Sequence, residues 1–157
     1  MNIELWTLGK ERSKGIDQAI DEYTQRINRY LSFQVVTIDN AKIPKQLPKN
    51  QILLKEVELV LAKLNERDML ICLDEHGKSF TSVKFAEKMN QLLSQSSGRI
   101  IFLIGGSFGI HETLKSKAQM LLRLSDFTFP HQLVRLLFTE QLYRAFSILN
   151  NEKYHHE

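Results

Sequence analysis

Two five-residue runs constrain the fold most: Met69-Leu70-Ile71-Cys72-Leu73 and Ile100-Ile101-Phe102-Leu103-Ile104. Neither alternates apolar with polar residues. A strand with one wet face alternates. One that is apolar throughout is covered on both faces, as parallel strands in α/β proteins are. Between the two runs, Val83, Ala86, Met89, Leu92 and Leu93 recur at three and four residues. That spacing predicts a helix from a cap at Thr81 or Ser82 to about Ser94. Ser96, Ser97 and Gly98 break it.

The rest of the chain repeats the unit. Ile3 to Leu8 and the β-branched stretch Phe33 to Ile38 read as strands. Between them, Ile16, Ala19, Ile20, Tyr23, Ile27, Tyr30 and Leu31 mark an amphipathic helix with Arg26 and Arg29 on its outer face. A loop from Asp39 to Lys49 carries Pro44, Pro48 and three lysines, and a helix from about Asn50 to Asn65 follows. Asp74 to Lys78 reads as a turn around Gly77. After the fourth strand come Gly105 to Gly109 and a short helix around Glu112 to Ala118. A fifth strand from Met120 to Leu124, a loop from Ser125 to Phe129 and a long helix opened by Pro130 complete the order. That last helix is apolar over more than one stripe, so it is expected to be buried on more than one side. Residues Asn150 to Glu157 form a polar tail. Alternating strands and helices predict one α/β domain over residues 1–157, with a mainly parallel sheet flanked by helices.

Composition narrows the function classes. No apolar run approaches the length that spans a bilayer, and the N-terminus has no basic leader followed by an apolar block. The single cysteine, Cys72, sits in an apolar strand and excludes an internal disulfide; a buried thiol in a reducing cytoplasm fits. The net charge of +3 permits a nucleic-acid partner without demanding one.

Ligands of open parallel sheets sit beyond the carboxyl ends of the strands. Three such ends stand out: Leu73-Asp74, Gly105 to Gly109, and Leu124 to Phe129. Gly105-Gly106-Ser107-Phe108-Gly109 also satisfies the G-x-S-x-G elbow of serine hydrolases, with Asp126 and His131 following in the order Ser, Asp, His. The chain is short for that fold, and Asp126 and His131 share one loop, so this is the weaker reading. The glycines lack dinucleotide-binding spacing. His131, His155 and His156 lack a metal-ligand pattern, so no metal is expected. His131 and Arg135 stand at the entrance of the last helix as polar groups at a buried element's mouth.

The stretch Leu103 to His111, LIGGSFGIH, with Leu124 to Ile148, LSDFTFPHQLVRLLFTEQLYRAFSI, and the Tyr154-His155 ending, resembles the RlmH family. These are SPOUT-class methyltransferases of large-subunit ribosomal RNA. The resemblance extends over essentially the whole chain. It implies a minimal SPOUT domain whose C-terminal segment forms a trefoil knot around S-adenosyl-L-methionine. It also implies a homodimer that methylates N3 of a pseudouridine in 23S rRNA on the assembled ribosome. By the same resemblance, Leu73, Gly105, Leu124, Ser125, Asp126, Phe127, Thr128 and Phe129 hold the cofactor. His131, Arg135, Tyr154 and His155 act on the target base, the last two from the tail. Ser107 occupies a loop position that is not a nucleophile, and Phe108 is a local variation on the side toward RNA. Lys10, Arg12, Lys14, Lys42, Lys45 and Lys49 are candidate phosphate contacts. The remaining alternative is a ribosome-binding protein that keeps the fold without catalysis.

Overall fold

The computed structural model describes residues 1–156; Glu157, the end of the polar tail, lies outside the described residues. The elements alternate as expected: β1 (Asn2–Leu8), α1 (Lys14–Ile27), β2 (Ser32–Ile38), α2 (Lys49–Leu61), β3 (Met69–Lys78), α3 (Ser82–Gln95), β4 (Ile100–Ile104), α4 (Glu112–Lys117), β5 (Met120–Leu122) and α5 (His131–Leu149). The five strands form one sheet in the order β2-β1-β4-β3-β5. Every pairing is parallel.

The continuously apolar runs occupy the middle of that sheet. Met69 to Leu73 pairs residue for residue with Ile100 to Ile104. Alternate residues feed two cores. Ile71, Ile100, Phe102 and Ile104 face α1, α3 and α5, packing with Ile27, Met89, Phe138 and Leu142. Cys72, Ile101 and Leu103 face α2 and α4, packing with Val57, Val60 and Leu114. A strand covered on both faces has no position for a polar side chain, which explains the missing alternation. Burial pushes the Cys72 thiol up to about 12, with the nearby Asp74 charge adding to the rise, so it behaves as core and not as a nucleophile.

The amino ends of the strands are clamped together. Arg99, just before β4, donates to Asp68 and Glu4, and to the Lys63 carbonyl; Trp6 Nε1 donates to Glu4 Oε2. Burial raises the Asp68 carboxyl, but the hydrogen bonds from Arg99 and the Asn65 amide, together with the Arg99 charge, outweigh it and hold the group below the usual carboxylate range. The functional loops lie at the opposite, carboxyl end.

Helix α2 ends at Leu61, short of the expected Asn65, and three boundaries near the carboxyl ends of the strands also differ from the sequence reading. First, β3 does not stop at Leu73. Its ladder with β5 breaks after Leu73 and resumes at Lys78, which pairs with Leu122. Gly77 makes this possible: a Cβ there would lie 2.7 Å from the Leu121 carbonyl carbon and oxygen. The expected turn at Asp74 to Lys78 is therefore an irregularity within a strand, and it pushes Asp74, Glu75 and His76 outward. Second, β5 ends at Leu122, so Arg123 and Leu124 belong to the following loop. Third, Pro130 caps α5 with extended geometry (φ −57°, ψ 148°) instead of occupying its first turn. For α3, Thr81 is the cap, its hydroxyl accepting from the Lys84 amide at 3.2 Å.

Candidate functional site

A cleft of about 630 Å³ opens where the loops after β3, β4 and β5 converge. Each wall has a local cause. The break in β3 supplies Leu73, Asp74, Glu75 and His76. The β4 loop supplies Gly105, Ser107, Phe108 and Gly109. The segment from Arg123 to Phe129, outside any helix or strand, supplies the third wall, and His131 and Val134 at the start of α5 form the back.

The glycine loop folds on itself. Gly109 has φ +80°, its amide donates to the Gly106 carbonyl at 3.0 Å, and the two residues form an isolated bridge. A Cβ on Gly105 would lie 2.5 Å from the Gly109 carbonyl oxygen, a backbone atom that cannot step aside. A Cβ on Gly106 would lie 2.7 Å from Glu56 Oε2. The glycines are required by tight closure of the loop and by α2 beneath it.

Charge in the cleft is organised. Asp74 accepts from Lys115 Nζ of α4 at 3.1 Å and from the His76 amide at 3.0 Å, which braces the β3 bulge. Ser125 Oγ accepts the Phe127 amide at 3.0 Å, a local turn that leaves Phe127 81% exposed. Asp126 lies 3.4 Å from Arg123. Apolar surface from Leu73, Ile104, Leu122, Leu124 and Val134 lines the same space. Apolar walls with loop backbone groups at the rim suit a flat heteroaromatic ring.

All eight residues expected to hold a cofactor border this one cleft, and His131 does too. Arg135 is one turn further on and turns elsewhere. It is buried, its guanidinium donates to the Glu11 carbonyl at 2.9 Å and lies 3.6 Å from Asp17, and it borders a small side pocket shared with His131. Tyr154 and His155 are not at the cleft of their own chain. Asn151, at φ +56°, turns the chain back at the end of α5. Tyr154 Oη then meets Tyr23 Oη at 3.2 Å and donates to Glu140 at 3.1 Å, while Arg144 lies 3.2 Å from His155 Nδ1. Burial, chiefly, and then the Tyr23 and Glu140 contacts hold the Tyr154 phenol well above its ordinary value. Arg144 is thirteen residues beyond His131, which is about 20 Å along the helix.

The sequence reading missed His76, Glu75 and Arg123 as wall residues, because their exposure depends on the β3 break and the early end of β5. Buried Glu56, behind the glycine loop, was also missed. A carboxylate in a helix of otherwise apolar inward positions was its only signal.

The hydrolase alternative does not assemble. Ser107, Asp126 and His131 all border the cleft, but the Asp126 side chain is 86% exposed and paired with Arg123. A triad acid is buried against its histidine.

A carboxyl-end cleft built from three adjacent loops on an all-parallel sheet, with a glycine turn on one wall, is the arrangement of SPOUT methyltransferases. A family model described as "Predicted SPOUT methyltransferase" matches residues 1–155, and the chain belongs to that family. Several full-length relatives carry the name ribosomal RNA large subunit methyltransferase H. That of Flavobacterium johnsoniae is 46% identical over 157 residues, covering all of both chains. That of Natranaerobius thermophilus is 38% identical over 159 residues, covering 99% of this chain and all of its own. Among solved structures, a probable methylase family protein from Haemophilus influenzae Rd KW20 shares the fold. Its TM-score is 0.54 at 15% identity, over 99% of this chain and 70% of that one. The RlmH resemblance read from the glycine loop and the Phe-Pro-His segment is therefore borne out.

Proposed function

We propose that the protein is an S-adenosyl-L-methionine-dependent methyltransferase that methylates N3 of a pseudouridine in 23S rRNA of the assembled ribosome, working as a homodimer. The observation that carries this reading is the convergence of Leu73, Gly105 and Leu124 to Phe129 on one cleft beside His131, in a chain whose full-length relatives are named as large-subunit rRNA methyltransferases. The same reading includes the C-terminal trefoil knot.

The cofactor supplies an electrophilic methyl carbon on a sulfonium. The chain's task is to hold the acceptor nitrogen in line with that carbon. Leu73, Leu124 and Phe129 would hold the apolar adenine, and the loop backbone at 125–128 would meet its polar edge and the ribose. With the cofactor bound, the acceptor nitrogen would take the methyl group by in-line displacement, the sulfonium leaving as a neutral thioether. N3 carries a proton at neutral pH, and His131 takes it. Arg135 acts at one remove: tied to Glu11 and Asp17, it holds the β1–α1 loop against the start of α5. Tyr154 and His155, being far from their own cleft, reach a target base from the partner subunit. The apolar side of α5 at Leu133, Leu136 and Leu137 provides the seam between subunits.

The test is mass spectrometry of 23S rRNA from cells lacking the protein, followed by methyl transfer from labelled cofactor to their ribosomes. The expected result is loss of one methylated pseudouridine, restored by the purified protein. His131→Ala should lower turnover by about 10²- to 10⁴-fold. An unchanged rRNA methylation pattern in the deletion strain sinks the assignment. Cofactor binding without transfer to ribosomes favours the non-catalytic alternative.

A further inference from the structure

Phe108 is an apolar ring held where water reaches it. It stands at the tip of the closed Gly106–Gly109 turn, 46% exposed, and borders the cleft mouth. It belongs to neither hydrophobic core. The turn beneath it is pinned by the 3.0 Å Gly109-to-Gly106 hydrogen bond, so the ring is presented from a rigid base. Lys49, the first residue of α2, places its ammonium 5.7 Å from the ring centroid and also borders the cleft. Lys42 and Lys45 lie in the loop leading to it.

A rigid aromatic face with a cation beside it matches the repeating chemistry of a single-stranded RNA, a π-faced base and its phosphate. Of the candidate cofactor contacts only Gly105 shares the Phe108 loop, and it has no side chain; the others lie in the 124–129 loop and at Leu73, which leaves the exposed ring for the acceptor strand. We infer that Phe108 and Lys49 form a lip that grips the nucleotide next to the methylated one, the base stacked on the ring and the phosphate paired with the ammonium. This rests on the rRNA methyltransferase reading. The lip orients the strand and takes no part in bond making.

The experiment measures methyl transfer to ribosomes purified from cells lacking the protein, with cofactor affinity read separately by titration with S-adenosylhomocysteine. Phe108→Ala should raise KM for ribosomes about tenfold, with a much smaller change in kcat and no loss of cofactor affinity. Phe108→Trp should restore a KM at or below that of the native protein. Lys49→Ala should raise KM and reduce the slope of log KM against log salt by about one. If the alanine variant melts early, the Trp and Lys49 variants decide: a raised KM for Phe108→Trp, or an unchanged salt slope for Lys49→Ala, overturns the lip. A native KM for Phe108→Ala also overturns it. So does a change in sedimenting mass, which would assign the ring to subunit pairing. Native protein that transfers no methyl group overturns the underlying reading, and the lip with it.

Discussion

Glu56 shows how one side chain can govern a loop it does not belong to. It is 3% exposed on α2, its Oε2 accepts from Asn40 Nδ2 at 3.3 Å, and that oxygen stands directly behind Gly106. Burial raises its carboxyl above the ordinary range, and the Asn40 hydrogen bond only partly offsets the rise. The fold therefore prefers the protonated acid. As pH climbs from the ordinary carboxylate pKa through the raised folded value, the unfolded chain releases this proton first and stability falls. Glu56→Gln keeps the shape and the Asn40 hydrogen bond but carries no charge. The variant should melt higher than the native protein at pH 8, with the gap narrowing as the pH falls toward the ordinary carboxylate pKa and closing only below it, as thermal melts from pH 8 to pH 4 will show. An equal gap at both pH values would mean that Glu56 is charged at no cost. Sequence reading could not find this residue, since burial of one carboxylate depends on how α2 sits under the β4 loop. It did place Gly105 and Leu124 to Phe129 beyond the apolar strand runs, where the cleft opens, because those runs mark the middle of a parallel sheet. It did not show what the glycines avoid, which is the Gly109 backbone at Gly105 and the Glu56 carboxylate at Gly106.

At the scale of elements, α5 accounts for most of what was legible and most of what was not. Its excess of apolar residues correctly foretold burial on several sides: Phe138, Leu142, Ala145 and Phe146 pack into the core beside α1 and α3. The tail behind it read only as polar sequence. In the structure it is docked, because Asn151 reverses the chain and α1 offers tyrosines to meet it. The Tyr154 ring lies 4.7 Å from that of Tyr143 with Arg144 stacked at 4.8 Å, and Tyr30 Oη donates to Glu152 at 2.7 Å. No local spacing encodes a contact between residues 23 and 154. Removal of Lys153 to Glu157 exposes Tyr143 and the Glu140–Arg144 ion pair without touching the cleft of the same chain. The truncated protein should bind S-adenosylhomocysteine as the native protein does, while methyl transfer to ribosomes falls at least tenfold. If transfer persists at the native rate, Tyr154 and His155 have no part in the reaction.

For the whole molecule, the question is what covers the outer side of α5. Leu133 is 36% exposed, and Leu136 and Leu137 are half-buried. Positions i, i+3 and i+4 lie on one side of a helix, so the three leucines form a continuous apolar strip beginning at the cleft. A strip so placed can bury itself against its twin across a two-fold axis and bring a partner's tail toward the cleft in one step. Two-fold pairing also doubles the effect of any substitution, since each change occurs on both sides of the seam. Leu137→Asp would set two carboxylates into the seam, each losing its water without a counter-charge. The native chain of 18.3 kDa should therefore sediment at twice that mass at micromolar concentration, and Leu137→Asp at the single-chain mass. The variant should keep its secondary structure, because the side chain is half-exposed in one subunit. It should bind cofactor weakly or normally but transfer no methyl group, since the tail and the cleft no longer meet. Native protein sedimenting as a monomer would remove both the seam and the shared site. A monomeric Leu137→Asp with native turnover would keep the seam and place the whole reaction within one chain.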